Sequence, residues 1–274
     1  MALIVRNNLA ANNSITQLNR TSRALSRNFE HVSSGLRISR AADDAAGLGV
    51  AESLRALHTS ADVAARNIND GISVIGVAEG ATNEVANILV RLRELAVQSS
   101  SETLANSERS YIQDETDQLV SEIDRIANVT EFNGISLGNG TVATMNVQVG
   151  VHNSTNDQIT ISLGNLTTSF LGVNSLSLNS VSNAQTALDT LDTALDSVSQ
   201  IRADYGASEN RLTNALNNIE TFSEANKAAE SRIRDADFGV ETAALSQNQI
   251  LQQAGVSILA QAKNLNQSAL QLLQ

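Results

Sequence analysis

The chain has 274 residues, 42% of them hydrophobic but only 3% aromatic, and 29 acidic against 18 basic side chains give it a net charge of −11. That acidic balance argues against a general affinity for nucleic acid or an anionic membrane surface, and neither is expected as a partner. Proline, cysteine and tryptophan are all absent. About fourteen prolines would be usual at this length, so helices can run long without lost hydrogen bonds or ring clashes.

With so few aromatic residues, Leu, Ile, Val and Ala must form the core, which suits thin seams between closely paired helices. The first forty residues hold Arg6, Arg20, Arg23, Arg27, Arg37 and Arg40 against the single acid Glu30. Six against one leaves that arm at +5, so the remainder carries −16 of the net −11. Such an arm reads either as a solvated helix face or as an attachment to acidic neighbouring subunits. The opening Met1-Ala2-Leu3-Ile4-Val5-Arg6 is too short an apolar run for a cleaved secretory signal. No stretch approaches the roughly 20 apolar residues of a membrane span, so no membrane insertion is expected.

Along the N-terminal arm, Ile4, Ala11, Leu18, Leu25 and Val32 recur every seventh residue, with Ile15, Phe29 and Leu36 on the interleaved series and Ser22 interrupting it. That is the seam of a paired helix. The stretch Ala41-Ala42-Asp43-Asp44-Ala45-Ala46-Gly47-Leu48-Gly49 is rich in small residues and reads as a connector held by polar contacts, including Asp43 and Asp44. From about Leu54 to Ala96 the seam returns through Ala61, Ile68, Ile75, Thr82 and Leu89, a helix about 65 Å long with Gly71 on its packed face. A Ser-rich break at Ser99–Ser101 precedes a shorter helix marked by Ile112, Leu119, Ile123 and Ile126, and Asn133-Gly134 supplies turn chemistry.

The period then changes. Met145, Val147 and Val149, then Ile159, Ile161 and Leu163, alternate with polar residues around a polar loop, which predicts a β-hairpin. Residues 167–182 resist assignment. The helical seam resumes at Ala184, Leu191, Val198, Tyr205, Leu212 and Ile219, with a second register of Leu188, Leu195 and Leu216 that Arg202 and Glu209 interrupt. A last seam runs through Leu251, Gly255, Ile258, Ala262, Leu265, Ala269 and Leu272. Two apolar helical ends call for partners, and the nearest partner of each is the other.

These elements predict a mainly α protein: a long antiparallel helical coiled-coil rod with its termini paired at one end and a small β-hairpin region in the middle. Residues 1–42 plus 236–274 are expected as a terminal coiled coil, ordered only in an assembly because two thin helices bury little. Residues 43–135 plus 181–235 would form the helical rod, and 136–180 the hairpin and a short variable surface region.

Two stretches resemble the signatures of the bacterial flagellin family. Ser33-Ser34-Gly35-Leu36-Arg37-Ile38 followed by Ala41 through Leu48 is similar to its N-terminal signature. Glu230-Ser231-Arg232-Ile233-Arg234-Asp235-Ala236-Asp237, with Gln249 through Gly255 and Ala260-Gln261-Ala262, is similar to its C-terminal one. The resemblance covers roughly residues 1–135 and 181–274. It implies a filament subunit that self-polymerises into the motility propeller, with Ile4, Leu18, Leu25, Phe29, Val32, Leu251, Gly255, Ile258, Leu265 and Leu272 on the polymerisation seams.

The same resemblance implies partners: further copies in a helical homopolymer, an export chaperone, and cap and junction proteins. It also implies unfolded export without a cleaved signal to an extracellular flagellum, a route that suits a chain lacking slow proline isomerisation and disulfides. Leu89 through Gln98 resembles the segment gripped by the flagellin-sensing Toll-like receptor, which makes Arg91, Leu95 and Glu115 candidate receptor or protofilament contacts, with Val90 in place of the usual glutamine. The family's frequent proline near the C-terminus is missing here, so the last helix should run straight on.

Enzymatic chemistry is not expected. His31, His58 and His152 lie far apart outside any H-E-x-x-H pattern, Asp43-Asp44 lacks a third ligand at useful spacing, and Gly47-Leu48-Gly49 lacks the rest of a dinucleotide fingerprint. No cofactor or metal is implied. The competing readings are a hook–filament junction protein of related sequence and a free coiled-coil binding module.

Overall fold

The computed structural model describes residues 8–271. Ile4 and Leu272, expected on the seams, lie outside the described residues, and so does the side chain of Leu265. Six α-helices and four short strands follow in order: α1 Leu9–Ser34, α2 Ala45–Ser99, α3 Asn106–Val129, β1 Glu131–Phe132, β2 Ile135–Ser136, β3 Thr144–Gln148, β4 Gln158–Ser162, α4 Thr168–Leu171, α5 Val181–Arg234 and α6 Phe238–Gln271. The expected mainly α class with a small hairpin region is observed, and a second two-stranded pair, β1–β2, adds to the expected hairpin β3–β4. α2 starts at Ala45, so the alanines and glycines of Ala45–Gly49 are helical, not part of an irregular connector.

The chain forms two compact units, a central one from Leu57 to Glu224 and a terminal one made of residues up to Ala56 together with those from Ala225. The division falls inside α2 and α5, whereas the sequence places it at 42/43 and 235/236. The cause is the segment after α1. Gly35 caps α1 in the left-handed conformation, donating to His31 O at 2.8 Å. Leu36 then bridges Asp235, Arg37 N donates to Arg234 O at 2.7 Å, and Ala236 N donates to Gly35 O at 2.9 Å. These bonds tie the connector to the end of α5 and draw that end into the terminal unit. Ile38, 1% exposed, is the apolar anchor of the crossing.

In the central unit the seven-residue repeat is buried as read. Ala61, Ile68, Ile75, Thr82, Leu89 and Ala96 of α2 and Ala184, Leu191, Val198, Tyr205, Leu212 and Ile219 of α5 are all buried. The helices run antiparallel, since Ser223 Oγ donates to Asp62 at 2.7 Å while Arg93 Nε donates to Asp192 at 2.6 Å further along. The second α5 register is corrected. Ala187, Ala194 and Ser208 are buried, while Leu188, Leu195 and Leu216 are half-buried flankers, so Arg202 and Glu209 face solvent and interrupt nothing.

β3 and β4 pair antiparallel, Val147 opposite Ile159, and their inner face joins the α2–α5 core. The hairpin is therefore a third layer of the central unit and not a separate surface region. Gly71 explains the fit: a Cβ there would lie 3.0 Å from Val147 Cγ2 and 3.4 Å from Leu212 Cδ1, so the close neighbour is the hairpin as well as the helix. Asn133 and Gly134 take positive φ in the tight turn between β1 and β2, a pairing the turn residues announce only in part.

Residues 167–182 are ordered by polar side chains from other elements. Asp124 accepts from both N and Oγ1 of Thr168 at 2.9 and 2.8 Å, and Gln113 bonds Leu176 O and Leu178 N. Leu171, Val173 and Leu178 thereby fill the core against α2, α3 and α5. At the α2–α3 corner the buried Arg109 donates to Ser99 O, Ser101 O and Asn106 Oδ1 at 3.0, 2.7 and 3.2 Å.

Tyr205, 1% exposed, accepts the Gly164 amide at 2.9 Å, and burial raises its phenol above the ordinary 10.0. Tyr205→Phe should cost about 1 kcal/mol by orphaning that amide, measured by denaturant unfolding. The wild type should also lose stability as pH rises above 10, because the unfolded phenol ionises before the folded one, and Tyr205→Phe should remove that part of the alkaline loss.

Candidate functional site

The terminal helices α1 and α6 pair antiparallel within one chain. Leu18 lies against Gly255, where a Cβ would be 3.3 Å from Leu18 Cδ1, and Asn8 Nδ2 donates to Ala262 O at 3.0 Å. Ala11, Ser14, Leu18, Thr21, Leu25, Asn28 and Val32 of α1 are buried or half-buried and alternate three and four apart, with Ala24, Glu30 and His31 half-buried beside them. Their counterparts on α6 are Glu241, Leu245, Asn248, Gln252, Gly255, Leu259 and Ala262. The pairing was expected, but one of the two registers was not. The interleaved positions are the polar Ser14, Thr21 and Asn28, one residue earlier than Ile15, Ser22 and Phe29.

A polar cluster fixes this seam near the C-terminal end of α1. Glu241 accepts from Asn28 Nδ2 at 2.9 Å and lies 3.1 Å from His31 Nδ1, while Asn248 Nδ2 donates to Asn28 Oδ1 at 3.4 Å. The His31 and Glu241 side chains are each 17% exposed. Apolar spacing cannot reveal such a cluster. The available signal was that Glu241 is the sole acid between Phe238 and Gln271.

Several expected seam residues consequently face outward. Leu18, Leu25, Val32 and Gly255 lie within the pair, but Phe29 is 67% exposed, Ile258 54% and Leu251 47%. Ile15, Val256 and Ile250 are also exposed. Gly255 thus serves contact inside the chain, and Gly255→Leu would first disturb the α1–α6 pair. Besides Glu241, α6 has one charged residue, Lys263.

The connector aspartates act as caps. Asp43 Oδ2 accepts from the amides of Arg40 at 3.0 Å and Ser39 at 3.2 Å, bonds that hold its carboxyl below the ordinary value, the Arg40 bond foremost. Asp44 Oδ1 accepts from Gly47 N at 2.9 Å. A Cβ at Gly47 would meet Asp44 and come within 2.8 Å of Ile38 Cδ1, so the glycine keeps the crossing close.

In the central unit, Arg91 of α2 donates to Glu115 of α3 through Nε at 3.1 Å and Nη2 at 2.9 Å, and to Glu94 at 2.9 Å. All three are exposed, beside Val90 at 48%. Leu95 is 2% exposed and packs in the core, so its side chain does not face a partner, contrary to its expected role as a surface contact.

Among the described residues no group of three or more His, Cys, Asp or Glu side chains is placed to hold a metal, and no helix is long and apolar enough to cross a membrane. A helix pair whose second helix is poor in charge and which turns Leu, Ile, Val and Phe outward has the surface of a structural protein built from paired helices. The chain belongs to the bacterial flagellin family: the family's N-terminal helical region matches residues 5–143 and its C-terminal helical region residues 188–273. It is 41% identical over 272 residues to a flagellin of Halalkalibacterium halodurans, covering 99% of this chain and 100% of that protein. It is 39% identical over 286 residues to the flagellar filament 33 kDa core protein of Treponema phagedenis, covering 99% and 100%. A crystal structure of Bacillus cereus flagellin, 31% identical, matches with a TM-score of 0.51 over 56% of this chain and 88% of that one.

Glu241→Ala should remove the acceptor of Asn28 and the partner of His31, weakening the α1–α6 pair by on the order of 1–2 kcal/mol. Hydrogen exchange should accelerate in α1 and α6 and stay unchanged in the central unit.

Proposed function

We propose that the chain is a structural subunit that self-polymerises into the bacterial flagellar filament, the motility propeller outside the cell. The observation that carries this reading is the exposure of Phe29, Leu251, Val256 and Ile258 on a terminal pair whose second helix has only two charged residues. Large apolar side chains on a charge-poor surface are costly in water, and packing against other copies removes that cost. Relatives covered end to end are a flagellin and a flagellar filament core protein, which supports the same assembly here. Export proceeds without a cleaved signal, with an export chaperone, cap and junction proteins as the partners in delivery and assembly.

The Arg91–Glu115 pair bridging α2 and α3 is the part of the expected receptor or protofilament contact that lies on the surface. We assign it to protofilament packing and, through the same surface, to the flagellin-sensing Toll-like receptor. Val90 gives that surface an apolar centre where a glutamine would offer a hydrogen bond.

Purified subunit salted out onto short filament seeds should give long uniform tubes by negative-stain microscopy, because salting-out strengthens apolar burial. Persistent monomers, or ends that stop growing, would overturn the reading. Ile258→Asp should raise the critical concentration for polymerisation at least tenfold while leaving the unfolding midpoint of the central unit unchanged.

A further inference from the structure

The chain contains two Asn-Gly pairs, Asn133-Gly134 and Asn139-Gly140. Asparagine is a chemically labile residue, most of all before glycine, whose missing Cβ lets the following amide nitrogen reach the asparagine side-chain carbon. The fold holds the two pairs differently.

Asn133 and Gly134 are the turn between β1 and β2, both left-handed at φ 49° and 78°. Phe132 pairs with Ile135 beside the turn, Glu131 with Ser136 beyond it, and Leu137 N donates to Thr130 O at 2.9 Å to close the ladder. Bringing the Gly134 nitrogen onto Asn133 Cγ swings the peptide plane out of the turn and breaks the Phe132–Ile135 pair.

Asn139 and Gly140 lie in a bend outside any strand. The anchors on either side are Leu166 N to Gly138 O at 2.7 Å and Leu163 N to Ala143 O at 2.9 Å, and between them the Gly140 amide donates to no acceptor among the described residues. The Asn139 side chain is held by its oxygen alone: Oδ1 accepts from Thr141 N at 3.1 Å and from Thr141 Oγ1 at 2.5 Å. Two donors on that oxygen draw charge from Cγ and stabilise the oxyanion that forms when Cγ is attacked. Gly140 sits at φ 74°, and a Cβ there would lie 2.5 Å from Asn165 Nδ2. The fold thus requires the very glycine that makes the asparagine reactive, and Gly140 is exposed to water.

We infer that Asn139 is a self-modifying site that deamidates spontaneously in the folded chain, whereas Asn133 is protected. The Gly140 nitrogen, its proton passed to hydroxide, bonds to Asn139 Cγ. The Cγ–Nδ2 bond then breaks, and ammonia leaves with a proton from water, which restores the hydroxide. The succinimide ring takes up one solvent water and opens as the Gly140 nitrogen regains a proton. Breaking its bond to Cγ gives aspartate, and breaking its bond to the Asn139 main-chain carbonyl carbon gives isoaspartate. Either product adds a negative charge to an already acidic chain, and isoaspartate lengthens the main chain by a methylene between β2 and β3. The reaction is independent of the proposed polymerisation.

The test incubates the full-length wild-type chain at mildly alkaline pH in heavy-oxygen water, folded and in urea, and reads label at each asparagine by peptide mass spectrometry. In the folded chain Asn139 should take up label about tenfold faster than Asn133, because the turn must open before Asn133 reacts. In urea the two rates should converge. Equal rates in the folded chain, faster label at Asn133, or an unlabelled Asn139 after the unfolded chain has reacted to completion would overturn the inference. Thr141→Val, verified as folded by circular dichroism, should slow Asn139 several-fold in the folded chain and leave its rate in urea unchanged. An unchanged folded rate would overturn the role given to the Thr141 hydroxyl.

Discussion

Burial of a narrow apolar stripe that recurs every seven residues is the constraint on which this structure depends. Isolated helices owe little of their stability to propensity, and helices of 55 and 54 residues must bury one face along their length to persist. Alanine and glycine at many of those positions keep the seams thin, so a helix pair alone has a small core. The central unit answers this with a third layer: α3, the hairpin and the 167–182 segment cover the α2–α5 seam. Asp124, Gln113 and Arg109 hold those coverings by hydrogen bonds, because irregular backbone lacks a ladder of its own.

Among the described residues, the terminal unit has no such cover over α1 and α6. Its seam is partly polar, with Asn28, His31, Glu241 and Asn248 joined in one cluster. Polar groups inside a paired-helix seam specify register at some expense of stability. The large apolar residues Phe29, Leu251, Val256 and Ile258 stand exposed outside that seam. Intrachain pairing and the proposed association between copies thus draw on different faces of the same two helices.

The family's signature residues acquire local physical reasons here. Gly35 takes the left-handed conformation that ends α1, and Gly47 makes room for Ile38 beneath the start of α2. Asp43 accepts from amides between the two helices, and Asp44 caps the first turn of α2 through the Gly47 amide. Arg234 accepts the Arg37 amide on its backbone carbonyl and places its guanidinium 3.3 Å from Glu52. The two signatures, nearly two hundred residues apart in sequence, are the two sides of one crossing in the terminal unit.

The sequence by itself determined the helical class, the α2 and first α5 registers, the hairpin and the pairing of the two ends, since each rests on periodicity that the backbone geometry imposes. Tertiary structure decided what periodicity cannot carry. It moved the interleaved α1 register by one residue, because Asn28 hydrogen-bonds to α6 and Ser14 and Thr21 are small, while Ile15 and Phe29 look equally eligible by spacing. It placed Leu95 in the core and Arg91 and Glu115 at the surface, since a helix position turns inward or outward only according to what packs on it. It also ordered residues 167–182, whose partners Gln113 and Asp124 lie more than forty residues away and leave no local trace.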